Sequence, residues 1–320
     1  MLILILNLEK QFNLMSYLSD NKIKILALAT SHNRRKITIK SINSLKKFGF
    51  KKNIDLRIYI VDDGSTDGTS KEIKKRFKDV KLIPGNGKLF WCKGMVFGYK
   101  KMIKKEKNFD FILVFNDDVC FYKNFLNNLL TTYYKNTNKN SSLIVVGSTC
   151  DNITKKLNQG GLKKRSFINP LSLKLIKNIK FNKSCDTFNM NCVLINQSVI
   201  KKIGFLSKNY RHIWGDWDYG LRNTKFNGLN IVAPKIVGEC PTPNNKIYIN
   251  KMNDKDLTKS ELWERYIHFG QQNPLERYKF YKDHGGLLWL FFYFGTYIKF
   301  WIVNIFKIKK NEIKKKNYLF

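Results

Sequence analysis

The 320-residue chain lacks most of the patterns that identify a chemistry at once. Its four histidines are scattered and form no HExxH, so a metalloprotease-type centre has no support. Its six cysteines (Cys92, Cys120, Cys150, Cys185, Cys192, Cys240) form no CxxC pair and no zinc-type spacing, which points to free thiols in a reducing compartment. The absence of GxxxxGK[ST] counts against a P-loop NTPase, and the absence of GxGxxG after the first apolar run weakens dinucleotide binding. No internal repeat is evident. The opening "MLILILNLEK" is too short for a signal peptide, has no basic n-region, and places Glu9 where cleavage would occur. Residues 1–21 read as a peripheral peptide, with Met15 a plausible alternative start. Acidic residues are scarce, 24 against 59 Lys and Arg, for a formal charge of +35. Such an excess suits nucleic acid, an anionic membrane or a phosphate-bearing substrate. The lysines, however, cover plain helix faces such as "KEIKKRFKDVK", and no recognisable nucleic-acid module accompanies them, so no nucleic-acid partner is expected.

What is present is an alternation of strands and helices over residues 22–150. "IKILALAT", "DLRIYIVDD", "VKLIPG", "DFILVFNDD" and "SLIVVGST" read as strands, separated by segments with apolar residues at helical spacing. That rhythm predicts a mostly parallel sheet flanked by helices. Ligands of such sheets bind beyond the carboxyl ends of the strands, and here those ends read "ATSHNR", "VDDGSTD" and "FNDD". Residues 151–190 are looser, consistent with a strand-and-loop insertion around a substrate.

Three acidic stretches carry the candidate chemistry. "FNDDV" places Asp117 and Asp118 side by side at the end of a buried strand, where paired charge resists desolvation. A divalent ion such as Mg²⁺ or Mn²⁺ best accounts for it, with helix capping as the competing reading. Asp62 and Asp63 in "VDDGSTDGT" suit hydrogen bonds to a base or ribose, or an ordinary turn and N-cap. In "WGDWDYGLR", one of Asp216 and Asp218 suits a general base and the other an orienting group; pairing with Arg222 is the plainer alternative.

In this order and spacing, "TSHNR", "VDDGSTDGT", "GNGKLFWCKGM", "FNDDV" and "GDWDYGLR" resemble family 2 glycosyltransferases of the GT-A fold, of the bacterial polysaccharide and rhamnosyltransferase-like type. The resemblance covers about residues 22–240, and "FYKDHGGLLWL" is similar to the C-terminal extension of some bacterial members. It implies a metal-dependent, inverting hexosyltransferase-type enzyme acting in cell-surface polysaccharide synthesis. Its partners would be a nucleotide-sugar donor and a saccharide or lipid-linked acceptor. Thr30, His32, Asn33 and Arg34 match the first nucleotide-contacting loop, Asp62 and Asp63 the acidic pair near base and ribose, and Trp91 and Gly94 the donor-side segment. Asn116, Asp117 and Asp118 fall on the D-x-D-type triplet, with Asp118 and Asp117 as metal ligands for Mg²⁺ or Mn²⁺. Asp216 falls on the general base and Asp218 on the following acidic, substrate-side position. The chain departs from the pattern at Asn116, at Gly215 where many relatives carry Glu, and at Val96. No histidine stands near "GEC", which leaves the approach of Glu239 or Cys240 open.

The domain expectation is a peripheral peptide (1–21), a GT-A domain (22–240) and a linker with C-terminal amphipathic, aromatic helices (241–320). Residues 287–306 form an apolar run broken by Lys299 and followed by a strongly basic stretch. A helix lying on the inner face of the cell membrane, with lysines on anionic lipid, fits this better than a crossing. A packed helix pair in the core or a dimer interface is the competing reading. The rival functions are a nucleotidyltransferase that makes a sugar nucleotide and, further off, a basic nucleic-acid-binding protein.

Overall fold

The computed structural model describes residues 22–50, 52–137, 142–177, 179–212, 214–242 and 273–305. The N-terminal peptide, most of the connector after residue 242 and the basic tail after residue 305 lie outside them. The opening half follows the predicted alternation: β1 (Ile23–Ser31), α1 (Arg35–Gly49), β2 (Ile54–Asp62), α2 (Thr69–Arg76), β3 (Lys81–Pro84), α3 (Phe90–Lys105), β4 (Phe111–Phe115), a short β5 (Cys120–Phe121), α4 (Phe125–Asn136) and β6 (Leu143–Cys150). The insertion holds β7 (Leu157–Gln159), β8 (Gly161–Lys164), β9 (Leu173–Leu175), β10 (Lys183–Cys185) and β11 (Thr187–Phe188). Then come β12 (Cys192–Asn196), α5 (Gln197–Ile203), α6 (Gly215–Lys225), β13 (Leu229–Glu239), α7 (Pro274–His284) and α8 (Trp289–Ile305).

The main sheet runs β10-β13-β6-β12-β4-β1-β2-β3, with β5 on β13 and β7 on β6, while β11, β8 and β9 form a small second sheet. β1, β2, β3 and β4 are parallel, and β6 and β13 are parallel to each other. β12 opposes both of its neighbours, and β10 opposes β13. The mostly parallel sheet flanked by helices is therefore present, and the strand ends gather on one edge. Alternation along each strand feeds two cores. Ile25, Ala27 and Ala29 of β1 with Phe111, Leu113 and Phe115 of β4 face α1, α2 and α4. Leu26, Leu28, Ile112 and Val114 face α3, α5, α6 and α7.

The C-terminal helices join this second core. Phe280 and Tyr281 of α7 are buried within it, and Trp289, Phe292 and Tyr293 of α8 pack against it. The opposite face of α8 keeps Leu290, Phe291, Phe294 and Ile298 exposed. Among the described residues, no helix is long and apolar enough to cross a membrane.

Helix α3 lies close on β1 and β2 because glycines face the sheet. A Cβ on Gly94 would stand 2.6 Å from Thr30 Oγ1, and one on Gly98 would stand 2.5 Å from Val61 Cγ2 and 2.9 Å from Leu28 Cδ1. This close approach puts the N-terminus of α3 over the strand ends. Gly98→Ala overpacks that contact, and urea unfolding is expected to show a loss of about 1–3 kcal/mol. Gly295→Ala, on α8 with open space around it, is expected to be neutral or to gain up to about 1 kcal/mol in the same measurement.

Candidate active site

Three loops meet at the carboxyl edge of the sheet, and each is tied to the next. His32 Nδ1 lies 2.6 Å from the Asp63 carbonyl. Asn33, in the left-handed region at φ 51°, accepts the Thr66 N–H at 2.7 Å and donates its own N–H to Ser65 Oγ at 2.9 Å. The β1–α1 and β2–α2 loops thus form one unit. Asp62 ends β2 opposite Ser31 of β1, accepts the Ser65 N–H at 3.0 Å and bonds the Ser70 hydroxyl. Asp63 accepts backbone N–H groups from Gly87 at 2.8 Å, Leu89 at 2.9 Å and Phe90 at 3.1 Å. Asp62 and Asp63 thus make the turn contacts of their plainer reading, whereas the N-cap of α2 is Gly68, without a side-chain cap, and Asp63 anchors the entry to α3.

The acidic pair after β4 has an internal cation. Arg34 donates from Nη1 to Asp117 Oδ1 at 2.8 Å and from Nη2 to Asp118 Oδ2 at 2.6 Å. Thr38 Oγ1 lies 3.1 Å from the other Asp117 oxygen. Asp117 is the deeper of the two, with 4% side-chain exposure against 14% for Asp118 and 39% for Arg34. Burial raises the pKa of Asp117, while Arg34 and the Ser31 and Thr38 hydroxyls oppose that rise. Burial works against the charge of Arg34, but the two carboxylates hold its pKa above the ordinary value.

The donor set suits a hard cation. Two carboxylates stand together, and Mg²⁺ commonly takes one or two of them and completes its shell with substrate phosphates and water. Asp118, the more exposed, is the one such an ion would reach, in competition with Arg34 for Oδ2. Among the described residues there is no cluster of three or more His, Cys, Asp or Glu side chains placed to hold a metal. Cys240 is the group that approaches: its thiol donates to Asp118 Oδ1 at 3.2 Å, and burial, then Asp118, pushes its pKa up. Glu239 is bonded by Tyr122 and Lys155, each at 2.7 Å.

Asn116 bonds Trp91: the indole Nε1–H donates to its Oδ1 at 2.9 Å. An amide at the first triplet position therefore serves as an acceptor that fixes the donor-side segment. Gly215 also has a local reason, because a Cβ there would collide with Cys92 Sγ where α3 and α6 meet. Just before it, Trp214 is held at φ 73°, and Phe90 at the start of α3 at φ 59°. Left-handed backbone is costly for large aromatic residues and persists only where the surroundings impose it.

Asp216 sits half-buried in the first turn of α6, where the helix dipole favours a carboxylate. Oδ1 accepts the Trp217 N–H at 2.8 Å. Burial pushes its pKa up to about 6, against hydrogen bonds that include the Met190 backbone and the Asn189 side chain. Asn191, two residues on from Asn189, accepts the Asn116 N–H at 3.1 Å and donates from Nδ2 to Cys240 Sγ at 3.0 Å. Residues 189–191 thus connect Asp216 to the acidic triplet, a link with no sequence motif to announce it.

Asp218 has a different setting. It is buried between Arg222 Nε at 2.8 Å and His284 Nε2 at 2.9 Å. Arg222 in turn donates to the carbonyls of Ile203 at 2.7 Å and Phe205 at 3.0 Å. The pairing with Arg222 is thus present, and it braces α6. His284 extends that brace to α7, and Trp214 packs at a tilt against Phe280 of α7 with centroids 4.5 Å apart. Nothing in the histidine spacing signals this role, since 66 residues separate His284 from Asp218.

The profile of glycosyl transferase family 2 matches residues 28–204, more than half of the chain. A crystal structure of S. aureus TarS aligns at TM-score 0.51 and 15% identity, covering 81% of this chain and 49% of that one. The chain thus spans about half the length of that protein. A second structure, S. aureus TarS 1-349, aligns at TM-score 0.47 and 14% identity, covering 77% of this chain and 72% of that one. No curated protein matches.

Removing the internal cation has a signed consequence. Arg34→Met leaves two carboxylates without their guanidinium, and urea unfolding near neutral pH is expected to show a loss of about 1–3 kcal/mol, discounted for the exposure of Arg34. The folded-state pKa of Asp117, already raised, rises further. The folded state then binds the proton more tightly than the unfolded one, so stability grows as pH falls from the raised value toward the ordinary value of about 3.9. The gap between variant and wild type should accordingly narrow in acid.

Proposed function

Because this chain belongs to glycosyl transferase family 2, we propose that it transfers a sugar from a nucleotide-diphosphate donor to a hydroxyl of a saccharide or lipid-linked acceptor, with inversion at the anomeric carbon. The observation that carries the proposal is Asp216: a half-buried carboxylate with a pKa of about 6, joined through residues 189–191 to the acidic triplet. A group with that pKa is ionised at neutral pH and still basic enough to take a proton from an attacking hydroxyl.

In this reading Thr30 at the end of β1 and the loop residues His32, Asn33 and Arg34 line the donor's nucleotide side together with Asp62 and Asp63. Their network pre-forms the loops, so little ordering is left for the donor to impose. Trp91, held by Asn116, closes the other side, and Gly94 serves the site by letting α3 settle on Thr30. Asp118, with Asp117 behind it, would hold the Mg²⁺ or Mn²⁺, and the chemistry such an ion supplies is neutralisation of the charge on a departing diphosphate. Asp216 receives the acceptor proton, and Asp218 keeps α6 in place through Arg222 and His284. One base acting opposite the leaving group, with no second carboxylate serving as nucleophile, is the arrangement that inverts.

The exposed apolar stripe of α8, followed in sequence by "KIKKNEIKKK", supports a peripheral position on the anionic inner face of the cell membrane. There the enzyme would meet lipid-linked acceptors of cell-surface polysaccharide synthesis.

Asp216→Asn is the direct test. Turnover should fall roughly 10²–10⁴-fold with the circular dichroism spectrum unchanged. In the wild type the unprotonated carboxylate is the active form. kcat/KM is therefore expected to be level above a pH of about 6 and to fall about tenfold per pH unit well below it. Full activity in the Asn variant, or a profile flat through that range, would remove Asp216 from the base role.

A further inference from the structure

The small sheet carries a feature that the transfer reaction does not use. β8 and β9 pair antiparallel and set Lys163 directly opposite Lys174. Like charges placed across a strand pair repel and destabilise the ladder. Asp186 takes Lys163 at 3.1 Å. Next to it lies an open concavity of about 290 Å³ lined by Lys163, Lys174, Leu175, Ile176, Lys177 and Lys183, with no acidic residue among them. The surface of the hollow is mainly apolar with lysines bordering it, so it suits a group with an apolar body and an anionic end.

The hairpin tip is apolar and well built. Arg165 donates its N–H to the Ser172 carbonyl at 2.8 Å, and Ser166 Oγ accepts the N–H groups of Ile168 at 3.1 Å and Asn169 at 3.2 Å. This ordered turn presents Phe167 fully, and Ile168 largely, to the outside. The turn adjoins α8: a Cβ on Gly286 would lie 3.3 Å from Pro170 Cγ, and Leu171 packs against the same core as Trp289 and Phe292. Phe167 and Ile168 are thus exposed three and two residues before the point where the turn meets Gly286, and Leu287 and Leu288, exposed in turn, follow Gly286 and lead into α8.

Building on the membrane position argued above, we propose that the β8–β9 hairpin is a second membrane contact. Its tip enters an anionic bilayer beside α8, and its lysine concavity receives an acidic phospholipid headgroup. Apolar and aromatic side chains bordered by lysines are the composition of interfacial binding elements. A second copy of this chain fits the surface less well, because each copy brings a net charge of +35. An acidic polymer would use the lysines but leave Phe167 and Ile168 uncovered.

Vesicle flotation of the full chain tests the proposal, with phosphatidylcholine alone or mixed with phosphatidylglycerol. The wild type should float mainly with the mixed vesicles. Phe167→Ser with Ile168→Ser should weaken that binding about tenfold or more. Lys174→Glu with Lys177→Glu should lower the affinity for phosphatidylglycerol vesicles about tenfold or more, the basic stretch after α8 keeping the remaining preference. Circular dichroism and elution volume should match the wild type in both. Flotation of the tip variant equal to wild type would overturn the proposal. So would a wild-type dimer that the tip substitutions dissociate, or binding to soluble polyphosphate with none to vesicles. Nucleoside diphosphate release, read on the same samples, distinguishes this failure from failure of the transferase reading, since the hairpin lies outside the residues assigned to transfer.

Discussion

Two adjacent carboxylates at the end of a fully buried strand are the constraint around which this site is arranged. Asp117 and Asp118 follow Phe115 at the edge of the sheet, and burial alone would drive Asp117 toward its neutral form. Arg34 answers with a forked pair of hydrogen bonds, one to each carboxylate. To do so it must leave β1 at a fixed angle, and Asn33 takes the left-handed turn just before it. The same Asn33 gathers the β2–α2 loop through Thr66. The acidic pair thus orders two loops that, in the proposed function, hold the donor.

The second half of the site is fixed by packing. Glycines 94 and 98 let α3 lie on the sheet, which delivers Trp91 to Asn116. Gly215 then lets α6 approach α3 at Cys92. From α6, Asp216 faces residues 189–191, while Asp218 faces away to Arg222 and His284. Two carboxylates on the same turn of helix therefore take different tasks. One keeps an environment that tunes its proton affinity, and the other secures the helix to the C-terminal segment. Through His284 and Phe280, α7 braces the helix bearing Asp216, and α7 leads directly into α8 with its exposed apolar stripe.

Much of this was legible in the chain itself. Strands β1, β2, β4 and β6 are rich in apolar residues, and their polar ends mark the edge beyond which ligands of such sheets bind. The acidic stretches at 62–63, 117–118 and 216–218 stand out because a carboxylate at a strand end or helix start must find a cation, a donor or a helix dipole to offset its desolvation. The Arg34 fork, the Trp91–Asn116 bond, the bridge through residues 189–191 and the His284 contact were not legible. Each is a tertiary contact between residues far apart in sequence, and none leaves a periodic trace. The role of Gly215 was hidden for the same reason: a missing side chain makes sense only when the neighbour filling its space is known. For α8 the composition reads as apolar throughout, and only packing distinguishes the face carrying Trp289 and Phe292 from the face left outside.

The central claim, that the carboxyl edge of the sheet binds a nucleotide-sugar and passes its sugar on under the control of Asp216, is tested most directly by donor turnover. Nucleoside diphosphate release would be followed from UDP-, GDP- and dTDP-sugars with membrane extract as acceptor, with and without Mn²⁺, for the wild type and Asp118→Ala. Release from one donor, dependent on the metal and lost in Asp118→Ala, is the predicted result. Silence of the folded wild type across the whole panel, with acceptor and metal present, would contradict the account.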